Sequence, residues 1–230
     1  MIMKKIFLFC VMSLCVAVCS AQNALELAKQ QAELNEFNKK VLNAKPSKGA
    51  KKEAKRREKE GWRVPAGSKS IEQQWAASEL YGQELMVNDA GVNMKRFIMH
   101  TAKQTSGTYN AGYAAARTAA LAEIQAMIRS ELLATAQQDL NNTQMSAEKL
   151  MSVETFEQEV DVIVDGTLTN AIPVITIYRQ LVNGQYEVEV GIAVDKKVVM
   201  NNIERNAQRE FKGSDSKLRQ IIEKSVSNIQ

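Results

Sequence analysis

Asn183-Gly184 stands between two runs of alternating side chains, Ile172 to Val182 and Gln185 to Val194. An Asn-Gly pair flanked by such runs is the strongest short-range signal for a β-hairpin, because a two-residue type I′ turn needs positive φ at both positions. A two-residue loop also fixes a register. It pairs Leu181 with Tyr186, Arg179 with Val188, Ile177 with Val190, and Ile175 with Ile192. All of these share one face, which is apolar except for Arg179. The other face pairs Gln180 with Glu187, Tyr178 with Glu189, and Thr176 with Gly191. One face is therefore expected to meet a core and the other to be polar.

The remaining periodicities supply what packs on that hairpin. Residues 95–105, KRFIMHTAKQT, alternate as a strand, with Phe97, Met99 and Thr101 on one side and Ile98, His100 and Ala102 on the other. Ser106-Gly107-Thr108 is a turn carrying cap residues. A long helix follows, Thr108 to Leu140, with Leu121, Ile124, Met127, Ile128 and Leu132 on one face. Ala114, Ala115, Ala116, Ala119 and Ala120 make its first half narrow enough for close packing on a sheet. A helix is expected from Ser146 to about Asp165, with Leu150, Val153, Val160, Ile163 and Val164 inward. Asp195 caps another helix through Phe211, with Val199, Ile203 and Ala207 on one side. A last helix starts at Ser214 or Asp215 and carries Leu218, Ile221, Ile222 and Val226.

Upstream, residues 23–43 show a thin helical seam, Leu27, Leu34, Phe37 and Val41, as expected of a helix that needs a partner. Pro46-Ser47-Lys48-Gly49 breaks it. The basic segment that follows contains Ala50 and Ala54, an acid-before-base pair, Glu53–Arg57, and its reverse, Arg56–Glu60. Such pairs support a helix by about 0.2–0.5 kcal/mol each. Gly61 stops it, with Trp62 and Val64 as anchors. Ser70 then caps a helix over Ile71 to Tyr81.

The first residues define the compartment. Lys4 and Lys5 precede an apolar run, Ile6 to Val18, and Cys19-Ser20-Ala21 ends in a small residue. This has the pattern of an export signal cleaved after Ala21, and the run is shorter than the roughly 20 residues of a membrane span. Cys19 as a lipidated N-terminus is the alternative, and Val16-Ala17-Val18 fits it poorly. All three cysteines, Cys10, Cys15 and Cys19, lie in this leader. The exported chain is then expected to have no disulfide, no thiolate metal site and no thiol nucleophile. His100 is the one histidine, which excludes a multi-histidine metal centre and leaves a catalytic triad only if His100 is its base. Neither a metal nor a cofactor is expected.

Charge is segregated rather than global. The net charge is +4, yet residues 39–59 hold ten Lys or Arg against Glu53 and Glu58. Nucleic acid is an unfit partner, because the segment has no interleaved aromatics for bases and the leader sends the chain out of the cytoplasm. A solvated helix resting its Ala50/Ala54 side on the domain is one reading. An anionic envelope surface, lipid headgroups or wall polymer, is another: each cation near an anionic membrane contributes about 1 kcal/mol. Its candidate contacts are Lys51, Lys52, Lys55, Arg56 and Arg57. Glu187 and Glu189 share a strand face as paired acids would, and Glu154, Glu157, Glu159, Asp161 and Asp165 form an acidic run. The first pair lies on the polar side of the hairpin, and the second group lacks the Gly-centred loop of a calcium site.

The strand, the Gly-containing turn, the Ala-rich helix AAARTAALAEIQAMI and the hairpin ending in YEVEVGIAV together resemble the small envelope-lipoprotein family typified by the twenty-kilodalton Helicobacter lipoprotein. They are also similar to the N-terminal domain of the flagellar T-ring protein. The match spans roughly Lys95 to Met200. AKKEAKRREKEGW…IEQQW resembles a segment of exported Bacteroidetes proteins. The resemblance implies a non-enzymatic envelope protein with a small antiparallel sheet packed on helices.

The expected fold is α+β. A small antiparallel sheet, hairpin 172–194 plus strand 95–105, packs on the Ala-rich helix, with further N- and C-terminal helices. Residues 1–21 are the signal peptide, 22–90 a basic helical extension and 91–230 the α+β domain. The expected protein is exported to the periplasm or outer membrane and binds an envelope protein or itself. A basic adaptor for anionic polymer or lipid, and a carboxylate-based hydrolase, are the competing readings.

Overall fold

The structure, a computed structural model, describes residues 28–29, 31–87, 91–142, 160, 164, 168 and 170–210. It divides into two units, residues 1–44 and 45–230. In the first, residues 31–42 form helix α1, whose buried side chains are Phe37 and Val41, two of the seam positions.

The second unit is an α+β fold. Its elements are α2 (Lys48–Lys59), α3 (Ile71–Gln83), β1 (Leu85–Val87), β2 (Asn93–Lys95), β3 (Phe97–Ser106), α4 (Tyr109–Asn142), β4 (Ile172–Gln180), β5 (Tyr186–Asp195) and α5 (Lys196–Glu210). β3, β5 and β4 form an antiparallel sheet in that order, and β1 and β2 form a separate ribbon. Residues 45–90 lie in the same unit as the sheet. No helix among the described residues is long and apolar enough to cross a membrane.

One sheet face carries α4. Ala116, Ala120, Ile124, Ile128 and Leu132 pack with Ile98 of β3 and with Val188, Val190, Ile192 and Val194 of β5; Val199 and Ile203 of α5 join them. Val160 and Val164, expected inward, also belong to this core. The rest of the helix expected over 146–165, the whole acidic run with it, the leader and the helix expected after Ser214 lie outside the described residues. Gly112 explains the close approach of the first turn of α4. A Cβ there would lie 2.7 Å from Val188 Cγ2, so only Gly admits the contact. Of the alanines, Ala116 and Ala120 are buried, while Ala114 and Ala115 are exposed.

The hairpin departs from its expected register, and the cause is one dihedral angle. Asn183 keeps negative φ; Gly184 alone is left-handed, at φ 80°. The Gly184 amide donates to the Leu181 carbonyl at 2.9 Å and the Leu181 amide to the Gln185 carbonyl at 2.8 Å. The loop is therefore Val182-Asn183-Gly184, a turn followed by a left-handed glycine, which is the three-residue hairpin form. The extra residue slips the pairing by one: Tyr178 faces Val188, Ile177 faces Glu189, Thr176 faces Val190 and Ile175 faces Gly191. A slip of one residue moves a strand's whole apolar set to the opposite face. Ile175 and Ile177 accordingly leave the α4 face and join Ala54, Trp62, Ile71, Val64 and Trp75. The face expected to be polar is instead a second, smaller core, roofed by α2 and α3.

Both ends of α2 and the start of α3 are pinned. The Ser47 hydroxyl accepts from the Ala50 amide at 3.0 Å and donates to Glu79 at 2.9 Å. Ser70 and Gln73 form a capping box that starts α3. The outer edge of β4 is closed as well. Arg63 and Tyr178 exchange backbone bonds of 2.7 and 2.9 Å, and the Thr176 amide donates to Gln74 Oε1 at 2.6 Å. These bonds occupy the middle of the edge and make it a poor template for strand addition.

Candidate functional site

The basic helix α2 has two sides with opposite fates. Ala50 and Ala54 are buried and set the inward side. Arg57, one turn further, is only 11% exposed and points the same way. Its guanidinium donates to both oxygens of Glu189, at 2.7 and 3.1 Å, and its Nε donates to Glu53 at 2.9 Å. The planar group also lies over Trp62 and Trp75, 5.4 and 5.3 Å from their ring centres. Planarity, bidentate hydrogen bonding and stacking on indoles are what Arg supplies and Lys does not.

Glu189 is correspondingly far from the solvated acid expected of a polar strand face. Its side chain is 3% exposed, under α2, and Lys103 approaches it at 3.3 Å. Glu187 accepts from Arg179 Nε at 2.6 Å. The two carboxylates share a face, as expected, but each is bonded to an arginine of its own. Around Trp62 the cations close in further, with Lys103 at 5.6 Å and Arg179 at 4.9 Å from its ring centre. A second buried pair, Arg96 with Asp195 at 2.8 Å, joins the end of β5 to the lead-in of β3; the other Asp195 oxygen accepts from the Lys197 amide and caps α5.

The five cations expected to meet an anionic surface do not stay together. Arg57 is turned inward. Arg56 is exposed but donates to Glu53 at 2.9 Å and to Glu60 at 2.9 Å. These bonds, that to Glu53 first, raise the Arg56 pKa, while the same contact with Arg56 is the main cause that lowers Glu53 to about 2. Lys51, Lys52 and Lys55 remain exposed with no ion pair among the described residues, and Lys48 and Lys59 share that state. At about 100° per residue, these five lysines fall within an arc of about 100°, centred about 130° from the buried side set by Ala50 and Ala54. No other residue type enters the arc. From Lys48 to Lys59 it runs about 16 Å along the axis. The sequence holds this pattern, since a helical wheel registered on Ala50 and Ala54 isolates the lysines; what it does not hold is which arginines find acids.

His100 lies half-buried on β3 opposite Ile192. Among the described residues no three of His, Cys, Asp or Glu are grouped as a metal site. No family model, curated protein or solved structure matches the chain.

Proposed function

We propose that the chain is an exported protein of the bacterial cell envelope that works by binding and assembly rather than by turnover, akin to the small envelope-lipoprotein family it resembles. The supporting observation is the division of charge in the 45–230 unit. Arg57, Glu189, Arg96 and Asp195 are drawn inward into ion pairs that join layers of the fold. Five exposed lysines, Lys48, Lys51, Lys52, Lys55 and Lys59, are gathered on one face of a pinned helix. A charged surface on a rigid support is suited to holding a neighbour, and Glu187 and Glu189, the acids a hydrolase would need free, are bonded to arginines. The leader, Lys4-Lys5 followed by Ile6 to Val18, supports export.

Crosslinking in intact cells, with mass spectrometry of the captured neighbours and of the mature N-terminus, tests this reading. The expected result is an envelope-fraction protein beginning after Ala21 with recurrent crosslinks through its exposed faces. A cytoplasmic chain that retains its first 21 residues, or glycan hydrolysis lost on Glu189→Gln, overturns it.

A further inference from the structure

We propose that the lysine face of α2 docks on the anionic headgroups of a phospholipid bilayer, held by charge and without insertion. This rests on the envelope reading above and names the partner of one surface. Three features argue for a plane of diffuse negative charge. The face is broad: Lys48, Lys51, Lys52, Lys55 and Lys59 spread over about 100° of the helix and about 16 Å of its length. A single polymer strand would meet one row of such an array, whereas a plane meets all of it. The residues are lysines, flexible point charges suited to many phosphates at once, while the arginines of the same helix, which favour bidentate partners, are bonded to acids. No apolar side chain enters the arc, so the contact lacks the Trp, Phe or Leu that an inserting interfacial helix buries.

The fold also holds the face outward. Ser47 fastens the start of α2 to Glu79 and Arg57 fastens its last turn to Glu189. The helix cannot roll to hide its lysines without breaking a buried ion pair.

The test is flotation of the full chain with vesicles of neutral phosphatidylcholine, or of the same lipid with roughly one third phosphatidylglycerol, at about 50 and about 500 mM NaCl. Binding to the anionic vesicles at low salt is expected to exceed binding to the neutral ones by at least about tenfold and to collapse at high salt. The neutral vesicles isolate any contribution of the apolar run at residues 6–18, and Lys4→Gln with Lys5→Gln carried in every protein compared removes the charge of the leader. Changing all five lysines to Gln is expected to abolish the anionic preference, with circular dichroism and melting showing a folded variant. Lys69→Gln with Lys95→Gln, two exposed lysines off α2, is expected to leave it intact. An anionic preference that survives the five changes, or falls equally in the control, overturns the proposal. So does lysine-dependent sedimentation with purified wall polymer in the absence of vesicle binding. That last outcome leaves the envelope reading standing, whereas a cytoplasmic location would remove the reading while vesicle binding persisted.

Discussion

At the residue scale, Arg57 governs how the basic segment behaves. Its spacing from Ala50 and Ala54 puts it on the inward side of α2 and Arg56 off that side; the segment does not show which acid receives it. That acid is Glu189, a residue 132 positions away, and only the folded sheet brings it near. Removing one partner of a buried pair leaves a buried charge, which costs about 3–5 kcal/mol. Arg57→Met is therefore expected to lose about that much stability in urea unfolding, and adding Glu189→Met is expected to recover most of it. Equal losses from the single and double variants would show that Glu189 does not depend on Arg57. Glu53 gives a pH-dependent counterpart. Its carboxyl, lowered from 4.5 to about 2 chiefly by its bond to Arg56, binds fewer protons folded than unfolded. It stabilises the fold above pH ~4.5, and that contribution disappears as pH falls toward ~2. The stability difference between the wild type and Glu53→Gln is expected to be constant above that window and to vanish through it, and at a partly exposed site it stays under about 1 kcal/mol. A difference that does not change with pH would contradict the assignment.

At the element scale, most of the fold was legible because local signals agreed with packing. Ser70 and Asp195 cap where expected, the alternation of β3 places Ile98 and Phe97 on opposite faces, and the Ile124/Ile128/Leu132 face of α4 meets the sheet. The hairpin was legible in existence and not in register. Asn-Gly serves two loop lengths, and both leave a plausible apolar face on β4, since Ile175 and Ile177 are as well buried under α2 and α3 as under α4. The β1–β2 ribbon is not legible, because three-residue strands show no alternation to read. The register has a direct check. In the observed pairing Tyr178/Val188 and Thr176/Val190 are the non-hydrogen-bonded pairs, whose Cα atoms lie close, about 4.5 Å apart. Strong Hα–Hα contacts are expected between these residues in nuclear magnetic resonance spectra. Contacts joining Arg179 to Val188 would restore the two-residue loop. Gly184→Ala, at φ 80°, is expected to cost about 1–2 kcal/mol.

At the scale of the whole molecule, charge is sorted by what each cation costs the fold. The inward arginines are compensated by acids; the lysine face is not. Lys48–Lys52, Lys51–Lys55 and Lys55–Lys59 are like-charge neighbours one turn apart, and Lys48–Lys51 and Lys52–Lys55 are three apart. Each such pair opposes the helix by about 0.2–0.5 kcal/mol at low salt. A face retained only for solubility would be better arranged with acids between the lysines, as Glu53 and Glu60 are arranged around Arg56. The stability of the protein is therefore expected to rise with salt, and the five-Gln variant to be more stable than the wild type by about 1–2 kcal/mol at low ionic strength. Gln and Lys have similar helix propensities, so the gain isolates the repulsion. It is expected to fade as the Debye length shrinks from about 10 Å at 0.1 M salt to about 3 Å at 1 M. Thermal melts of both proteins across that range read it out. A variant no more stable than the wild type at low salt would mean that the lysines do not repel one another, and the case that this helix keeps them at a cost for the sake of an anionic partner would fall.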